Sequence, residues 1–185
     1  MENSVILRQH FDPRSIGAVS LWLDAADAPA TGGWLDKSGN ARNAVQLATN
    51  NQPVLTANAM GNRPALFFDG INDCLSLVAI PLSAWTAFAA VSPVTAGTAI
   101  HITASATSVL TLASGSTAAV VTATGAATTV SALYGSDSRI GARWDAGALK
   151  DFYNGYIGEI LVYPSQLSAA QTNAVARYLA RKWAL

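Results

Sequence analysis

The sequence holds a single cysteine, Cys74, so neither an internal disulfide nor a zinc site built on several thiolates is open to it. Charge is scarce. Asp, Glu, Lys and Arg make up 12% of the 185 residues, where about a quarter is usual, and the formal net charge is zero. There is no Lys/Arg run, which argues against a nucleic-acid or anionic-membrane surface. Glutamate is confined to Glu2 and Glu159, and histidine to His10 and His101, which are far apart and sit in no metal-ligand motif. No uninterrupted apolar run reaches the ~18 residues of a membrane-spanning helix. The opening stretch, "MENSVILRQHFDPRSIG", has no apolar core of signal-peptide length. If the protein works outside a cell, a cleaved signal is not expected to carry it there, and release by lysis inside an assembled particle is one way out. The longest absence lies in the middle, where residues 74–136 carry no charged side chain at all.

Half the residues are apolar, which argues against disorder, and a chain this long fits one domain. Such a domain buries ~70% of its extended-chain surface and needs no covalent or metal staple to fold. Cys74, between Ile71 and Leu75 and with no cation close in sequence, reads as a small buried hydrophobe and not as an activated thiol.

Period-two alternation dominates. "SLWLD" (20–24) puts Leu21 and Leu23 on one face and Trp22 on the other. "PALFFDG" (64–70) and "CLSLV" (74–78) flank the turn-rich "DGIND", a hairpin signal. Further strands are expected at 85–91, 99–104, 108–114, 117–123, 128–134, 138–144 and 155–164, with Gly or Ser-Gly in several of the gaps. Many short strands at this spacing predict an all-β sandwich or barrel. One helix is expected at 168–183. Ser168 and Gln171 form an S-x-x-Q capping box, and Val175, Leu179 and Trp183 make one apolar stripe. Arg181 and Lys182 sit at its C-terminal end, where the helix dipole favours cations. The expected division is an N-terminal extension or arm at 1–18, extended and turn-like around Pro13 and Gly17 and not helical, and a domain at 19–185 ending in that helix. In the charge-free middle, either Thr and Ser face water or a surface is covered by identical subunits or a larger assembly.

Five ordered blocks carry a family resemblance: the strand "LWLD", the turn "DKSGN", the "FDGIND" segment, the strand "GYIGEI" and the terminal "YLARKW" helix. Together they resemble the LamG-like jelly-roll domains of the concanavalin A-like lectin/glucanase superfamily, over somewhat more than half of the chain. The turn departs from the family pattern, since Ala41 stands where an SGNG-type turn has glycine. The resemblance implies a two-sheet antiparallel jelly-roll sandwich with one C-terminal packing helix, and binding or structural roles more often than catalysis. It also implies the settings in which such domains occur, on the exterior of tailed-phage virions or in secreted and cell-surface polypeptides. The expected partners are other virion proteins or identical subunits, together with cell-surface glycans, and neither nucleic acid nor membrane.

Glucanases of this superfamily use paired carboxylates on one strand face, at separations of about 5–9.5 Å. Around Glu159, "IGEILVY" offers no second acid two residues away, so no enzyme is expected and Glu159 is read as structural, bonded to backbone or to Arg139 or Arg143. For a sugar, the candidate contacts are Trp85, Trp144, Tyr153 and Tyr156, aromatics near predicted strand ends, whereas Trp22, Trp34 and Trp183 read as core. No cofactor is expected. For calcium, the candidate hard-oxygen ligands are Asp24, Asp27, Asp36 and Asp73, with Asp69 and Asn40, Asn43 and Asn72 near them in sequence. The competing reading is that these Asp and Asn side chains bond their own turns.

Overall fold

A computed structural model describes residues 11–28, 32–78, 80, 82–103, 109–126, 138–145 and 148–185. The strands are β1 (Leu21–Asp24), β2 (Gly33–Trp34), β3 (Ala44–Val45), β4 (Val54–Met60), β5 (Arg63–Asp69), β6 (Leu75–Ser76) and β7 (Ala84–Pro93). They continue with β8 (Gly97–Thr103), β9 (Val109–Ser114), β10 (Ala119–Ala126), β11 (Arg139–Ile140), β12 (Arg143–Asp145), β13 (Ala148–Lys150) and β14 (Asn154–Tyr163), before the helix α1 (Ala169–Trp183). Among the described residues two six-stranded antiparallel sheets form. One runs β10-β7-β14-β5-β4 with β1 also on β14, and the other runs β2-β3-β6-β11-β8-β9; β12 and β13 make a separate ribbon. The protein is thus a mostly-β sandwich closed by a C-terminal helix.

The centre of the first sheet is β14. It pairs with β7 along one edge, and along the other with β5 by its first half and β1 by its second. Its residues from Ile157 to Tyr163 are all buried, although side chains alternate faces along a strand. Ile160 and Val162 share a face with Leu21 and Leu23 in the core, while Glu159 and Leu161 share the other with Asp24 and Trp22. That second face lies under α1, whose Val175, Leu179 and Trp183 join the core. Burial on both faces also explains the charge-free sequence of β7, where Ala87 to Val91 have no exposed surface.

The expected helix is present, with Ser168 as N-cap and both halves of the capping box made. The DGIND segment is corrected. It is a turn, but β5 and β6 belong to different sheets, so it carries the chain across the sandwich and closes no hairpin. Asp69 holds it by accepting the N–H groups of Ile71 (2.8 Å) and Asn72 (3.2 Å), and Asp73 accepts that of Asp69 (3.0 Å). The self-bonded turn is what the residues encode, whereas the strand partners are chosen by burial. The expected strand 138–144 is divided into β11 and β12, because Gly141 takes a φ of +81° between them. The expected strand 128–134 lies outside the described residues. Residues 11–18 are no free arm. Phe11 stacks on Tyr178 with ring centroids 4.9 Å apart, Tyr163 donates to the Pro13 carbonyl, and Gln171 donates to the Ile16 carbonyl. The rest of the expected arm, 1–10, is outside the described residues.

Candidate functional site

Antiparallel register brings Asp24 of β1 opposite Glu159 of β14, on the sheet face that α1 covers. Two buried carboxylates side by side repel and lose hydration, so the arrangement persists only if donors surround it. They do. Glu159 Oε1 accepts from Trp22 Nε1 (2.7 Å) and the Tyr178 hydroxyl (2.9 Å), and Oε2 from Trp183 Nε1 (2.9 Å) and Lys182 Nζ (2.8 Å). Lys182 Nζ also donates to Asp24 Oδ2 at 2.6 Å, so one ammonium bridges both acids. Lys37 Nζ reaches the same Asp24 oxygen at 3.0 Å and pairs with Asp27, at the end of the 3₁₀ turn Ala25–Asp27 that follows β1. Burial by itself would raise the Asp24 pKa, but the ammonium groups of Lys182 and Lys37 outweigh it and hold it below the usual range. Burial and the adjacent Glu159 charge push the Tyr178 hydroxyl far above its ordinary value, so it stays a hydrogen-bond donor.

The glycines of "GYIGEI" make this packing geometric. A Cβ on Gly158 would lie 2.6 Å from the Trp183 ring, and the β14–β7 register shifts at this point. Glycine lets the indole lie flat over the strand and reach Glu159. The DKSGN turn secures the other end. Asp36 accepts Trp22 N (3.0 Å) and Ser38 N (2.9 Å) on one oxygen, and Arg42 N (2.9 Å) and Ser38 Oγ (2.8 Å) on the other. Those backbone donors overcome desolvation and lower the Asp36 pKa.

Beside this cluster lies an open cleft of about 670 Å³ between α1, the segment Asp24–Asp27 and the start of β5. Phe11, Trp22 and Tyr178 are its aromatic lining, Asp24 and Asp27 its acids, and Lys37, Lys182, Arg63, Arg177 and Arg181 its cations. The two lysines are consumed by the carboxylates. Arg177 and Arg181, one turn apart on α1, are exposed, and neither pairs with a carboxylate among the described residues. Arg63 donates to the Lys182 carbonyl (3.1 Å) and carries no acid partner there.

The expected sugar contacts are dispersed. Trp85 is buried in β7 and Tyr153 has no exposed surface, so neither offers a ring face to a sugar. Tyr156 is half-buried against Phe67 at 5.0 Å. Trp144 lies on β12, opposite Leu149. The expected calcium set is likewise divided. Asp24 and Asp27 share Lys37, Asp36 is filled by its own turn, and Asp73 belongs to the β5–β6 crossover, where burial raises its pKa to about 6. No group of three or more His, Cys, Asp or Glu suited to a metal occurs among the described residues. Glu159 bonds indoles, a phenol and an ammonium, and neither Arg139 nor Arg143 is among these partners. Its carboxylate neighbour comes from across the strand pair, where spacing along the chain cannot reveal it. The arginine-lined cleft was also missed, although Arg177 and Arg181 at i and i+4 share one helix face.

Together the fold and site define a β-sandwich protein whose terminal helix is locked to one sheet by a buried carboxylate pair, with a cationic cleft alongside. No protein-family model and no curated protein matches the chain.

Proposed function

We propose that this chain is a non-enzymatic jelly-roll module that serves as a structural or adhesion subunit on the exterior of a tailed-phage particle and touches host glycans. The observation carrying the non-enzymatic part is the state of the carboxylate pair. Glu159 is fully buried, accepts four bonds and shares an ammonium with Asp24. An acid–base pair for glycoside cleavage needs one carboxyl group free to give a proton and the other free to meet water or an anomeric carbon. Here both act as acceptors that tie β1, β14 and α1 together. The same residues make up the blocks that resemble LamG-like domains, and that resemblance supports the jelly-roll and virion parts of the reading.

Incubation with bacterial surface polysaccharides, followed by reducing-end assay, is expected to release no products, and mass spectrometry of purified particles is expected to find the chain at structural copy number. Cleavage lost in E159Q while the variant stays folded would overturn the non-enzymatic part. Absence from the particle would turn the reading towards a secreted or cell-surface lectin-like module, which the open cleft favours.

A further inference from the structure

We propose that the cleft beside α1 is a binding site for an acidic saccharide, a sugar unit that carries a carboxylate. The inference rests on the glycan-contacting reading above and gives it a place and a ligand class. The cleft volume of about 670 Å³ falls within the range of small-molecule sites. Its charges do not balance internally. The two ammonium groups of Lys37 and Lys182 meet three carboxylates, Asp24, Asp27 and the underlying Glu159, while Arg63, Arg177 and Arg181 on the walls have no carboxylate among the described residues, so five cations stand against three acids. In a chain of zero net charge this is a local positive focus. Guanidinium groups take carboxylates by paired, charge-assisted hydrogen bonds.

The remaining lining distinguishes a sugar acid from a bare anion. Asp27 is well exposed, and Lys37 engages its Oδ2, leaving Oδ1 to accept from a hydroxyl group. Phe11, stacked on Tyr178, gives an apolar wall for the C–H face of a ring. A simple phosphate has neither ring nor the array of hydroxyl donors, and an acidic peptide brings carboxylates with few hydroxyls.

Calorimetric titration of the full chain with a galacturonate trisaccharide tests the proposal, with neutral galactose trisaccharide, inorganic phosphate and a hexaglutamate peptide as comparisons. Saturable binding of the uronate is expected, weakening as salt rises. The double variant R177A/R181A changes two exposed residues and should keep its fold, while uronate binding falls about tenfold or more. D27N should weaken it without abolishing it. No uronate binding, equal binding of the neutral trisaccharide, or affinity unchanged in R177A/R181A would overturn the site. Equal or tighter binding of phosphate or hexaglutamate would overturn the saccharide assignment. None of these results touches the non-enzymatic reading, which fails only on hydrolysis.

Discussion

Ala41 closes the DKSGN turn with a φ of +55°, in the left-handed region that costs an L-residue roughly 1–2 kcal/mol. The position is exposed, so the strain has no packing partner. A41G should raise stability by about 0.5–1 kcal/mol, the backbone relief exceeding the added freedom of the unfolded chain; urea denaturation reads it. Gly158 is the opposite case. G158A places a methyl 2.6 Å from the Trp183 ring, which cannot retreat without leaving Glu159. The expected loss is about 2 kcal/mol, with a changed indole fluorescence, and an unchanged melting curve would contradict this packing. At this scale the sequence was partly legible. The turn-forming role of Asp36 and the core role of Trp183 follow from their local pattern, and the core roles of Trp22 and Trp34 from the family resemblance. Trp85 and Tyr153 are buried, which position near a strand end does not disclose, because it does not say whether a second layer covers the residue.

Among the elements, the crossover between β5 and β6 has its own pH signature. Burial, with Asp69 adding a like charge, raises the Asp73 pKa to about 6, so the folded protein binds this proton more tightly than the unfolded chain does. Its contribution to stability is therefore fully present below the unfolded value of 3.8 and is lost as pH rises through about 6. Asp24, Asp36 and Asp69 run the other way, because ammonium or backbone N–H groups outweigh desolvation and lower their values. Their contribution is present above the unfolded value and is lost as pH falls through the folded one. Melting temperature should thus rise as pH is lowered from 7 towards 5 and fall below 4. D73N should flatten the limb between pH 4 and 6 and leave the acid limb intact; an unchanged upper limb would contradict the assignment to Asp73. Helix α1 and strand β1 were readable because a capping box or alternation spans each of them, and β5, β7 and β14 because short apolar runs are bounded by turn residues. The mistaken hairpin has a physical source. A self-bonded Asp-Gly turn reverses the chain whether its strands pair in one sheet or separate into two.

At the scale of the molecule, the sandwich is held by an arrangement distributed over the whole sequence. Trp22, Asp24, Glu159 and Lys182 are neighbours only after β1 has paired with β14 and α1 has folded back. Local pattern could assign Trp22 to one strand face, but not disclose the carboxylate across from Glu159 or the cleft that α1 leaves beside it. The central claim is that Glu159 holds helix to sheet through its bonds to Trp22, Tyr178, Trp183 and Lys182. Urea unfolding of E159Q, with tryptophan fluorescence as the probe, tests this most directly. Removing the charge leaves Lys182 with one carboxylate and turns an amide N–H₂ towards donors. The expected loss is about 3–5 kcal/mol, which for a chain of this size corresponds to a melting temperature lower by roughly 10 °C. An E159Q protein as stable as the parent would contradict it.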